Sequence, residues 1–281
     1  MRNPETGIQE AEVSIMLCKE IIEKIENVYP KDAALSWDNV GLLAGRDDKE
    51  VRKIYVALDA TDEVVEDVIC QKADMLVTHH PLIFGGMKQI NNRDFIGRRL
   101  LQLIGNDISY YAMHTNYDVC RMAELAGNLL GLNDTEVLDV TGMRIQPETG
   151  EEYPEGIGEI GSWQKPVTLK ECCDKVKKAY GVPQVKVFGD LAQQVSRIAL
   201  CPGSGKSVIT QSLAKKADVL ITGDIGHHEG IDAVAQELAI IDAGHYGVEH
   251  IFIEDMKKYL QEAFPQTAVI SAAIHHPFTV V

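Results

Sequence analysis

A chain of 281 residues with 27 basic and 42 acidic side chains carries a formal charge of −15. That length holds one large or two modest domains, and the charge repels phosphate backbones, which excludes a general nucleic-acid role but not a small anionic substrate at a local site. Six scattered cysteines without a CxxC pair, no signal-peptide pattern over Met1–Thr6 and no apolar run of spanning length point to a soluble, reduced, cytoplasmic protein with no membrane segment.

In chain order, Ile15, Leu17, Ile21, Ile22 and Ile25 recur at helical spacing, which predicts a helix over Val13–Val28 stopped by Pro30. Ser36-Trp37-Asp38-Asn39-Val40-Gly41 reads as a shaped turn. Either it is a corner around a buried tryptophan, or it brings Asp38 or Asn39 near a pocket. Lys53–Leu58 reads as a strand, Asp62–Lys72 as a helix and Asp74–Thr78 as a second strand, a βαβ unit with parallel pairing. That strand runs into His79-His80-Pro81. Proline cannot continue a central strand, so the two imidazoles sit where the strand opens into a loop, and ligands collect at such carboxyl ends. Asp94–Ile104 is a further helix, and the strand Ile108–Met113 ends in His114-Thr115-Asn116-Tyr117-Asp118. Asp118 is either a helix N-cap or part of a site. From Asn133 to about Pro166 glycines break the pattern, which predicts a connecting region with short strands. Thr168–Tyr180 is a helix and Val185–Gly189 a strand.

The chain then repeats. Val51–Thr78 aligns without a gap with Val195–Thr222, 144 residues on, with identities that include Ile54/Ile198, Asp74/Asp218 and Thr78/Thr222. Two copies of one α/β module explain this better than shared amphipathic patterning. The expected fold class is therefore α/β: two similar lobes related by an internal repeat, 1–132 and 133–281 (the second including the connecting region), with a metal site between them.

The repeat extends to chemistry. His114 precedes Asp118 by four residues, and His245 precedes Glu249 by four; on a helical turn both members of such a pair share a face. With His79 and His80 they form a mixed imidazole–carboxylate set that suits zinc, iron, manganese or nickel. Two ions sharing a carboxylate would activate water at neutral pH. Cys201-Pro202-Gly203-Ser204-Gly205-Lys206-Ser207 lacks the first glycine of a nucleotide-binding P-loop, because Leu200 stands there. It is left as a tight turn or a local anion site.

SWDNVGLLAG, VTHHPLIF, HTNYD, ITGDIGHHE and IDAGHYGVE, in this order over nearly the whole chain, resemble the NIF-three-like family, the GTP cyclohydrolase I type 2 homologs. The resemblance implies two α/β lobes, a dinuclear metal site and a toroidal homohexamer. It carries metal ligation onto His79, His80, Asp118, His245 and Glu249, and places His114 and His228 near the metals as candidate catalytic residues. It implies a metal-dependent hydrolase that acts on a small nucleotide-like or heterocyclic substrate through metal-bound hydroxide. The alternative is a non-catalytic metal-binding or adaptor protein. The span between Gly131 and Val195 is too short for the extra domain of longer members, and His275-His276-Pro277 matches no expected motif.

Overall fold

Among the described residues of the computed structural model (16–146, 149–279 and 281), the strands form a five-stranded sheet, a six-stranded sheet and a two-stranded ribbon. The first sheet runs Ala268–Ser271, Lys53–Ala57, Met75–Thr78, Ser109–Ala112, Gly41–Ala44 across its width, parallel except at the last pairing. The second runs Asn133–Ile145, Glu152–Thr168, Gln194–Ser204, Val219–Gly223, Ala239–Asp242, Lys186–Phe188, with a parallel centre and antiparallel flanks. Both are thus mixed sheets built around a βαβαβ centre.

The apolar strands are explained by burial on both faces. Ile54, Val56 and Val77 pack against Ile21, Ile25, Phe252 and Met256 on one side. Tyr55, Leu76 and Tyr110 pack against Val65, Val68, Leu100 and Leu103 on the other. Covered faces remove the need for polar alternation, so these parallel strands read as continuous hydrophobic runs. The second sheet is covered in the same way, by Leu169, Cys172 and Val176 on one face and Val208 and Ala233 on the other. The C-terminal stretch crosses back: the helix Ile251–Ala263 joins the first core, and Ala268–Ser271 pairs with Lys53–Val56.

Local solutions recur 144 residues apart. Asp74 Oδ2 accepts from the amides of Arg52 and Lys53 at 2.8 and 2.9 Å, and Asp218 Oδ2 accepts from those of Ser196 and Arg197 at 2.7 and 2.8 Å. Lys72 and Lys216, just ahead of these aspartates, both adopt positive φ, 53° and 55°.

Three expectations need correction. The first helix begins at Cys18, because Met16–Leu17 pairs as a strand with Glu50–Val51; residues 13–15 lie outside the described residues. Asn133–Pro166 is no connector of short strands but a long hairpin, Asn133–Ile145 with Glu152–Thr168. Gly150 lies in its turn, but Gly156, Gly158 and Gly161 mark close approach: a Cβ on Gly156 would collide with the carbonyl of Asp139 on the partner strand. Trp37 is not a buried corner; its ring is exposed, and the turn serves Asp38 instead. The six cysteines are free, four of them buried, and no helix among the described residues is long and apolar enough to cross a membrane.

Candidate metal centre

Six of the seven site residues expected from the sequence emerge from three parallel strand ends. His79 and His80 follow Met75–Thr78, His114 and Asp118 follow Ser109–Ala112, and His245 and Glu249 follow Ala239–Asp242. His79 Nε2 lies 3.5 Å from Asp118 Oδ1 and 3.7 Å from Glu249 Oε1. His80 Nε2 and His245 Nε2 stand 3.2 Å apart, each about equally close to Glu249 Oε2, at 3.0 and 2.9 Å. Three groups able to hold an ion result: His79, Asp118 and Glu249; His80, His245 and Glu249; His79, His80 and His114. His228 is not among them. It is exposed beside His227 on the helix His227–Val234.

The helical spacing works fully in one pair only. His245–Glu249 is a helical turn, and the two side chains meet. After His114 the backbone enters a short helix and then a π-helical turn over Asp118–Met122. Asp118 is therefore not an N-cap; it faces His79, and His114 turns to Asp38.

Every ring is oriented through its other nitrogen. His80 Nδ1 meets Asp59 Oδ1 at 2.7 Å, His245 Nδ1 meets Asp224 Oδ2 at 2.7 Å, His114 Nδ1 meets Asp38 Oδ1 at 3.0 Å, and His79 Nδ1 meets the Met113 carbonyl at 3.0 Å. An N–H at Nδ1 leaves a lone pair at Nε2, the arrangement that supports metal-ligating histidine. Asp38 is itself fixed by the Thr115 amide and hydroxyl, at 2.9 and 2.6 Å.

Whether these residues suit a metal can be tested on unsatisfied atoms. His79 Nε2, Asp118 Oδ1 and Glu249 Oε2 are buried without a hydrogen-bond partner. The His80 and His245 Nε2 atoms beside Glu249 Oε2 bear no proton when each ring carries its N–H at Nδ1, so in that tautomer they do not donate to it. Orphaned buried polar atoms are costly and rare, and here they converge on one another. A cation bound among them removes the cost, so the donor set fits a divalent transition metal.

The electrostatics agree. Burial opposes a charge on His80, yet the Asp59 and Glu249 carboxylates, which accept from the protonated ring, outweigh it and push its pKa up to about 10. His245 likewise rises to about 9, with Glu249 and Asp224 overcoming burial. Burial holds His79 below its ordinary value. Burial and the charge of Glu249 raise Asp118, whereas Glu249 is held low because three imidazoles outweigh its burial. In the metal-free protein, protons on His80 and His245 take the place that a cation would fill.

Sequence reasoning missed Asp59, Asp224 and the role of Gly203. Both aspartates lie at the carboxyl ends of parallel strands, which was the available signal. Gly203 has φ +77°, and a Cβ there would collide with Glu249 Oε1. The glycine-rich loop is thus the wall against which the carboxylate lies; its Lys206 is paired with Glu229 at 2.5 Å.

Fold and site together define an α/β protein with a buried imidazole–carboxylate centre between two sheets' strand ends. The chain belongs to the Duf34/NIF3 (NGG1p interacting factor 3) family, whose model matches residues 16–277. A Clostridium perfringens protein named GTP cyclohydrolase 1 type 2 homolog is 32% identical over 267 residues, covering 94% of this chain and 99% of that one. The crystal structure of a Bacillus cereus protein related to NIF3 is similar with a TM-score of 0.86 at 28% identity, covering 95% of this chain and 99% of that chain. Reduced HcgD from Methanocaldococcus jannaschii is similar with a TM-score of 0.77 at 30% identity, covering 92% and 99%.

Proposed function

We propose that this chain is a metal-dependent hydrolase acting on a small nucleotide-like or heterocyclic substrate, with two divalent ions held jointly by two similar α/β lobes. The observation that carries this reading is the convergence of His79 Nε2, Asp118 Oδ1 and Glu249 Oε2, all buried and unpartnered. One ion would be held by His79, Asp118 and Glu249, the other by His80, His245 and Glu249. Zinc, iron, manganese and nickel all suit these donors. Bound ions would supply Lewis acidity and lower the pKa of water for attack. Asp59 and Asp224 orient the rings and Gly203 seats the shared carboxylate. His114, tied to Asp38 and next to His79 and His80, is placed to carry a proton. His228 as a second proton carrier, a cytoplasmic location and a closed homohexamer rest on the family resemblance.

Elemental analysis of protein purified without chelator should give more than one equivalent of transition metal per chain. Less than half an equivalent, with no uptake on titration, overturns the centre. Two equivalents without turnover on any nucleotide or pterin would remove the hydrolase and leave metal binding or an adaptor role. Light scattering at micromolar concentration should report about six chains, and a clean monomer contradicts the ring.

A further inference from the structure

Two aromatic rings at the edge of the centre are more exposed than buried. Trp37 is 61% exposed and Phe84 56% exposed. Each stands edge-on to His114, with ring centroids 5.9 Å away at 75° and 87°. Their loops are clasped, because Asn39 Nδ2 donates to the Ile83 carbonyl at 2.6 Å. Two rings that share a latch and meet the same imidazole form a fixed platform, and exposed ring faces bind planar heterocycles by stacking.

The charge around the platform narrows the ligand. Asp38, Asp59, Asp118, Asp224 and Glu249 surround the imidazoles. Two divalent ions would bring fewer positive charges than these five carboxylates bring negative ones. A cavity of about 710 Å³ beside Asp59 is lined by Glu63 and Asp67 and, among the described residues, by no lysine or arginine. The cavity of about 590 Å³ beside Asp224 has Lys186, which Asp242 holds at 2.8 Å and the Ile225 carbonyl at 2.7 Å. Sites for phosphate chains use free arginine or lysine donors, and neither cavity offers one.

We propose that the centre takes an uncharged planar heterocycle stacked on Trp37 and Phe84, with its polar edge toward His114, and that it discriminates against a phosphate chain. This deepens the hydrolase reading by naming its substrate class. Trp37 and Trp163 are the two tryptophans, so Trp163→Phe leaves Trp37 as the reporter. Metal-loaded protein is titrated with guanosine, pterin and GTP at matched ionic strength, and the unsubstituted chain is followed by calorimetry in case the variant folds poorly. Guanosine and pterin should quench Trp37 saturably, with GTP at least about tenfold weaker, and Trp37→Ala or Phe84→Ala should weaken guanosine at least about fivefold. Tighter binding of GTP than of guanosine overturns the proposal, as does the absence of both quenching and heat with the uncharged rings. A changed assembly mass for Phe84→Ala with unchanged guanosine affinity also overturns it, because the rings then belong to a subunit contact. Metal content is measured on the same samples. Ring binding by protein that holds no metal supports the platform while the two-metal reading falls.

Discussion

The stretches 51–118 and 195–249 meet at one centre but contribute differently to it. Positions 79 and 80 in the first are histidines; 144 residues on stand Gly223 and Asp224. Gly223 makes room, since a Cβ there would collide with the backbone of His245, and Asp224 orients the His245 ring. Asp59 and Gly203 differ in the reverse sense: Asp59 orients His80, and Gly203 yields space to Glu249. The last contrast is a single methylene. Asp118 takes part in one metal-capable group, and the longer Glu249 takes part in two. Similar βαβ frames can thus build an asymmetric site when ligand, orienting group and empty space are assigned to different positions.

The largest effect should come from removing the longer carboxylate. Glu249→Ala removes the carboxylate common to both groups and should abolish occupancy of both ions, whereas Asp118→Ala should cost one. Metal-to-protein ratios decide this. Equal losses from the two variants would mean that Glu249 is not shared.

Proton competition should come next. His80 and His245, raised to about 10 and about 9, carry protons at pH 7 in the metal-free protein and must lose them to bind an ion. Apparent affinity should therefore rise with pH, by up to about 100-fold per unit for an ion that displaces both protons, and uptake in weak buffer should acidify the solution. The stability of the metal-free protein has the opposite sign. Both folded pKa values lie above the unfolded value of about 6.5, so this contribution is complete below that pH and is lost as pH rises through about 9 to 10. Denaturant titrations of chelated protein across this window check it. Affinity independent of pH would remove the imidazoles from the site.

Removal of an orienting group should matter less than loss of a ligand. Asp59→Ala and Asp224→Ala should each weaken metal binding by about 10- to 100-fold, with Asn variants recovering part because an amide oxygen can still accept from Nδ1–H. If only the first-half aspartate matters, the symmetry of ring support is false.

What could be read in the sequence follows from locality. Two imidazoles before Pro81, and His245 with Glu249 on one helical turn, are set by adjacent residues, so strand ends and spacing were enough to find them. The hairpin of residues 133–168 is not legible, because Gly156, Gly158 and Gly161 are there to let another strand approach, and composition alone reads such glycines as loop. Asp38 stays open in the sequence for a similar reason: the ring it meets, His114, is 76 residues away. The π-helical turn at Asp118 also lies beyond pattern reading. His114 itself is the non-helical cap of the preceding short helix, with φ −118° and ψ −104°, so its ring turns to Asp38 while Asp118 faces His79, a difference that the i, i+4 rule does not carry.

The smallest effect on the metals should come from the neighbour of the shared ligand. His250 follows Glu249 but points away, its Nε2 donating to the Tyr180 carbonyl at 2.8 Å in a buried setting that holds its pKa low. His250→Ala should leave both ions bound while stranding that carbonyl. A stranded buried acceptor costs about 1–3 kcal/mol, which for a chain of this size lowers Tm by roughly 2–10 °C. Metal analysis and a thermal melt on the same sample separate the two outcomes. The comparison is sharpest in the metal-loaded state, where Glu249 is pinned from its own side of the helix and the loss at His250 is purely one of packing and hydrogen bonding. Full metal content with a lowered Tm confirms that one helical turn divides the site from the core. Metal loss equal to that of Glu249→Ala would mean that the turn carrying His245 and Glu249 is not rigid enough for its spacing to select ligands.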